Sequence, residues 1–192
     1  MSRKLLIVGS LVLASTMGVS DASADSPRPT RYEVQTALSG IKAGAARVAV
    51  HAPIDVVRQV VSDYGGYGQA IKRFEKARVI GRHGDATDVY LQVPILKGAA
   101  KVWGVVRFEP AKPDGDGEVI VGRLVKGNVK RLDARWRISK IDADSTNLNL
   151  EILIVPDFPI PLPSSLVTGE AAFAADKAVE GMRNRSEQIT PH

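Results

Sequence analysis

The sequence predicts an α+β protein in which an antiparallel sheet of about seven strands packs around one long C-terminal helix, with two short helices after the first strand. Three observations lead to this prediction. Apolar and polar residues alternate with a period of two through the middle of the chain. Only short turns separate these runs, which favours antiparallel pairing because parallel strands need long crossovers. After residue 164 the apolar residues recur at helical spacing instead.

Residues 1–24 have the features of a cleavable signal peptide. Arg3 and Lys4 precede an apolar run at 5–19, and the Ala-Ser-Ala sequence at 22–24 has the small-x-small pattern that signal peptidases cut. The apolar run is shorter than the ~20 residues that span a bilayer. We therefore expect an exported protein, periplasmic or secreted. A retained N-terminal membrane anchor is the alternative.

Composition excludes several classes of function. The chain has no cysteine, so disulfides, thiolate catalysis and cysteine-bound metals are not available. No P-loop, GxGxxG or HExxH pattern occurs, and we expect no catalytic residue, no cofactor and no metal. Lys and Arg are spread along the chain, which argues against nucleic acid. The formal net charge of +5 fits transient contact with an anionic membrane surface, and it equally fits solubility alone.

The segment after the predicted cleavage site is expected to be a leader at 25–40, followed by one domain at 41–190. The domain begins with a strand at 41–50, and Pro53 is suited to the first turn of a helix at 54–63. Gly65 and Gly66 end that helix, and one further helical turn is expected at 67–71. Six more strands are predicted at 77–82, 87–93, 99–110, 119–125, 131–141 and 147–155, and the long helix at 164–188.

Alternation within the strands assigns one apolar and one wet face to the sheet. Lys101, Arg107 and Glu109 share one face of their strand, so Val102, Gly104, Val106 and Phe108 take the other. The same reasoning turns Asp88 outward and turns inward Val89, Leu91, Val93, Leu132, Ala134, Trp136, Ile138, Leu148, Leu150, Ile152 and Ile154. The apolar side of the long helix is mostly alanine, so this helix either packs very close to the sheet or leaves a space.

Four features together resemble a known superfamily. They are the sequence Arg-Val-Ala-Val-His-Ala-Pro-Ile-Asp-Val-Val at 47–57, the Asp-Tyr-Gly-Gly-Tyr turn at 63–67, Trp136, and the proline-rich loop at 157–163. In this order they resemble the START and pollen-allergen-like (SRPBCC) superfamily, with its helix-grip fold. The resemblance is to its branch of polyketide cyclase/dehydrase-like and coenzyme Q-binding-like lipid transport proteins. It covers roughly residues 40–190, although members are commonly not exported.

The resemblance implies an apolar cavity between the sheet and the long helix, with the alanines leaving room for a lipid, isoprenoid, sterol or polyketide-like ligand. The expected ligand contacts are Tyr64, Tyr67, Phe74, Val89, Leu91, Val106, Phe108, Trp136, Ile152, Phe158, Phe173, Ala174 and Ala178. The aromatic members equally suit ordinary core packing. Three functions remain open: a carrier that binds a hydrophobic molecule without turnover, a cyclase or dehydrase that uses pocket tyrosines, and a protein-interaction module with a packed core.

Overall fold

The computed structural model describes residues 27–38, 40–157 and 162–190. Within these ranges lie three α-helices, α1 (Ile54–Ser62), α2 (Tyr67–Ala70) and α3 (Ser164–Ile189). The strands are β1 (Thr30–Gln35), β2 (Lys42–Val50), β3 (Lys76–His83), β4 (Ala86–Ile95), β5 (Ala100–Phe108), β6 (Lys112–Asp114), β7 (Gly117–Gly127), β8 (Val129–Lys140) and β9 (Thr146–Pro156). The predicted signal peptide and Phe158 lie outside the described residues.

All the strands form one antiparallel sheet in the order β1-β2-β9-β8-β7-β5-β4-β3, with β6 paired to β7. Helix α3 packs against β2 and β9, and α1 packs against α3. The predicted α+β class and the helix-grip arrangement are confirmed. The described part of the chain has nine strands rather than about seven, because β1 and the three-residue β6 add to the seven expected.

Strand β1 lies within the segment predicted to be a leader. It pairs with β2 along its whole length, from Thr30 opposite Arg47 to Gln35 opposite Lys42. The Tyr32 hydroxyl donates to Asn149 Oδ1 at 2.7 Å, which ties β1 to the outer face of the sheet. Residues in β1 are only exposed or half-buried, as expected for an edge strand. The apolar content of β1 is low, so the sequence pattern alone did not predict this strand.

The alternation argument assigns the sheet faces correctly, with one difference in burial. Val102, Val106, Phe108, Trp136 and Ile138 are buried as expected. Asp88 does lie opposite Arg107 on the outer face, but it is only 6% exposed. Arg107 donates to both of its carboxylate oxygens at 2.7 and 2.9 Å, and this hydrogen bonding holds the pKa of Asp88 below its ordinary value. The arginine covers the carboxylate that alternation alone would leave in solvent.

Helix α3 approaches β2 at Gly44 without a side chain between them. A Cβ atom at Gly44 would lie 2.8 Å from the carbonyl carbon of Ala171, and closer still to the Ala172 nitrogen and the Thr168 oxygen. Ala171, Ala175 and Ala178 are all at most 1% exposed. Most of the alanine side of α3 therefore packs close to the sheet and leaves no space there. Among the described residues, no helix is long and apolar enough to cross a membrane.

Candidate ligand cavity

A cavity of about 80 Å³ lies between the inner face of the sheet and the N-terminal half of α3. Its wall is mostly apolar, and among the described lining residues the one charged side chain is that of Glu170. The lining residues come from the region of α2, from four strands (β4, β5, β8 and β9) and from α3: Tyr67, Phe74, Leu91, Val93, Ile95, Val102, Gly104, Phe108, Leu132, Ala134, Trp136, Leu150, Ile152, Ile154, Glu170 and Ala174. Such a wall attracts apolar ligands by the hydrophobic effect and offers one polar group to orient them.

Seven of the residues expected from the sequence line this cavity together: Tyr67, Phe74, Leu91, Phe108, Trp136, Ile152 and Ala174. Val89, Val106 and Ala178 lie in the packed core instead, each at most 1% exposed. Tyr64 stacks on the Phe108 ring behind the wall, with ring centroids 4.7 Å apart. Phe173 lies outside the wall, against the guanidinium groups of Arg31 and Arg73.

The cavity also includes residues that sequence analysis did not propose as ligand contacts. Val93, Val102, Gly104, Leu132, Ala134, Leu150 and Ile154 were assigned to the inner face, and Ile95 ends β4. Periodicity identifies the inner face but does not show where along that face the helix diverges from the sheet. Glu170 is a further lining residue, and no local sequence pattern marks it as facing a cavity.

An aromatic cluster closes one end of the cavity. The Tyr67 ring packs edge-on against Tyr64 and Phe108 and tilted against Phe74. Tyr67 is 1% exposed, and its hydroxyl donates to the Val61 carbonyl oxygen at 2.7 Å. Burial raises the pKa of Tyr67 well above its usual value and the pKa of Tyr64 to about 12. Both phenols are therefore neutral near pH 7, and neither supplies a phenolate base.

The polar corner of the cavity is an ion pair between two separate parts of the chain. Arg73, in the loop between α2 and β3, donates through Nη2 to Glu170 Oε2 on α3. The Arg73 guanidinium lies over the Phe173 ring, 4.5 Å from its centroid. Arg31 of β1 also lies over this ring and pairs with Asp176 at 2.9 Å. Arg73 thus holds the Glu170 carboxylate at the edge of an apolar wall, and both arginines stack on Phe173.

The chain matches a known protein family over most of its length. Residues 50–183 match the family model described as polyketide cyclase / dehydrase and lipid transport. The match covers both short helices, the strands from β3 to β9 and most of α3. No curated protein sequence matches the chain.

Several solved structures share the fold. A STAR-related lipid transfer protein from Xanthomonas axonopodis is 19% identical, with a TM-score of 0.68 over 85% of this chain and 96% of the other. The Zhui aromatase/cyclase from Streptomyces sp. R1128 is 18% identical, with a TM-score of 0.64 over 84% and 95%. A START superfamily protein from Mycobacterium smegmatis is 21% identical, with a TM-score of 0.62 over 76% and 97%. The chain belongs to the polyketide cyclase/dehydrase and lipid transport family and has the helix-grip fold of the START superfamily.

Proposed function

We propose that this protein is exported and carries a hydrophobic small molecule, such as a lipid or isoprenoid, in the cavity between the sheet and α3 without transforming it. The observation that carries the proposal is the wall itself, in which Glu170 is the single charged residue among those that the structure describes. Burial of ligand area against such a wall contributes roughly 25 cal/mol per Å². The signal-peptide features at 1–24 support export.

The size of the cavity adds a requirement. Typical small-molecule sites have volumes of roughly 300–1,000 Å³, and this cavity has about 80 Å³. A lipid-sized ligand must therefore displace part of the wall as it enters.

A cyclase or dehydrase is the rival function, favoured by the family description and by the resemblance to an aromatase/cyclase structure. Such chemistry needs a positioned acid or base. The Tyr67 hydroxyl is already donated to a backbone carbonyl, and Glu170 is paired with Arg73. Among the described lining residues these two are the titratable side chains, and both are already held in these hydrogen bonds. The carrier is therefore the better-supported function.

The test is to express the whole chain in a bacterial host and isolate it from the periplasm. We expect an intact mass that corresponds to cleavage after Ala24, and one bound lipid or isoprenoid per protein in native mass spectra and in organic extracts. An empty protein, together with turnover of a polyketide-like substrate that is lost in Tyr67→Phe, would reject the carrier in favour of the enzyme. Recovery only from the cytoplasm would reject export.

A second part of the proposal is transient contact with an anionic membrane through exposed apolar and basic residues. Val125 and Leu166 are 50% and 40% exposed. Lys97, Lys126 and Lys130 are exposed in the neighbouring turns and strand ends. Apolar tips among lysines suit an anionic lipid surface. Sedimentation should show binding to phosphatidylglycerol vesicles and weaker binding by Lys97→Glu/Lys126→Glu. Equal binding to neutral phosphatidylcholine vesicles would contradict it.

A further inference from the structure

We propose that Glu170 selects ligands that carry a hydroxyl group at one end of an apolar body. The inference rests on the proposed carrier function and adds the chemical class of the ligand's polar end. Glu170 lies one helical turn before Ala174, and both residues line the cavity. Residues four apart lie on the same face of a helix, so the carboxylate stands beside the space that the ligand would occupy.

One carboxylate oxygen remains for the ligand. Arg73 donates to Oε2 of Glu170, which leaves Oε1 for another donor. The side chains of Arg73 and Glu170 are 15% and 23% exposed, so the pair is largely removed from solvent. Phe173 beneath the guanidinium limits the movement of Arg73. The ion pair therefore holds Glu170 in the cavity wall, and its Oε1 accepts no hydrogen bond from a described residue.

The chemistry of this acceptor distinguishes among ligands with the same apolar body. A hydroxyl donates to the carboxylate in a charge-assisted hydrogen bond, which is stronger than a neutral one. A methyl ether has no donor, so it would desolvate Oε1 without compensation. A ligand carboxylate would bring a like charge against Glu170. Among these three ligand ends, the hydroxyl group is therefore the one that suits Glu170.

Arg73 offers a competing interpretation. Its Nε is buried and has no hydrogen-bond partner among the described residues, so this N–H group could donate to a ligand carboxylate. Arg73 is not among the residues that line the cavity, however, whereas Glu170 is. A ligand meets the carboxylate first, and the arginine behind it compensates the charge. This order favours an alcohol over an acid.

The experiment uses protein isolated from the periplasm, freed of bound lipid and titrated calorimetrically with dodecan-1-ol, 1-methoxydodecane and dodecanoate. We expect the alcohol to bind about tenfold more tightly than the ether, in keeping with one charge-assisted hydrogen bond. Glu170→Gln should lower this ratio severalfold. Replacing both partners, Arg73→Met/Glu170→Met, should bring the ratio to about one, and it should preserve folding because no buried charge is left unpaired.

The matched control is Glu180→Gln, which changes a glutamate on the same helix that is paired with Lys177 and does not line the cavity. This variant should keep the wild-type ratio. Tighter binding of dodecanoate than of dodecan-1-ol would overturn the inference and assign the polar end to Arg73. A ratio that is the same in the wild type and in Glu170→Gln would overturn it while leaving the carrier function intact. Failure of all three probes to bind would reject the carrier function itself.

Discussion

Replacing Gly44 by alanine is expected to lower the free energy of unfolding by about 2–3 kcal/mol, the usual cost of overpacking a dense contact. The added methyl group would be driven into the backbone of α3 at Thr168, Ala171 and Ala172, which cannot rotate away. The entropic gain from replacing glycine is at most about 1 kcal/mol and is outweighed. Thermal unfolding followed by circular dichroism should show a Tm lower by roughly 5–10 °C.

The matched control is Gly169→Ala. Gly169 lies in α3, and a Cβ atom there would meet nothing within 4 Å. Alanine is the better helix former by about 1 kcal/mol, so this variant should be as stable as the wild type or more stable. If Gly44→Ala unfolded at the wild-type temperature, this would contradict the close contact between α3 and β2. The alanine side of α3 would then be separated from the sheet by enough space for a methyl group.

Replacing Ala174 by leucine is expected to reduce ligand affinity about 50-fold while the domain stays folded. The three added carbons would take the place of about three ligand methylenes, each worth about 0.8 kcal/mol. Ala174 borders the cavity, so the new side chain enters open space and stability should change by about 1 kcal/mol or less. Lipid occupancy by native mass spectrometry and Tm, measured on the same sample, separate the two effects.

Two comparisons make the result specific. Ser165→Leu adds apolar carbons at an exposed position of the same helix and should leave occupancy unchanged. Ala178→Leu adds the same carbons at a site that is 1% exposed in the packed core and should instead destabilise the domain. Wild-type occupancy in Ala174→Leu would show that the ligand lies elsewhere.

The family resemblance did not distinguish the alanines of α3 that border the cavity from those that are packed in the core. It implied that Ala174 and Ala178 both border a space, because both lie on the apolar side of α3. They are one turn apart, yet one lines the cavity and the other is packed in the core. Small side chains allow either outcome. Which outcome occurs depends on the separation between helix and sheet at each turn, and the Gly44 contact sets that separation near its own position.

Most of the secondary structure and the faces of the sheet follow from local sequence patterns alone. Strand and helix periods are local, so the boundaries of β2, α1 and α3 and the inward direction of Trp136 follow from neighbouring residues. The family resemblance had the same local basis in the residues around Pro53 and Tyr64. These features required no knowledge of contacts between distant parts of the chain.

The three-dimensional arrangement was needed to identify the inward-facing residues around the cavity, the pairing of β1 with the sheet, and Glu170 as the polar corner. Arg73 and Glu170 are separated by 97 positions in the sequence. Strand β1 is held in the sheet by its pairing with β2. The physical reason is common to all three. Local periodicity specifies which way a side chain points, whereas a cavity and an ion pair depend on the distance between elements that are far apart in the chain.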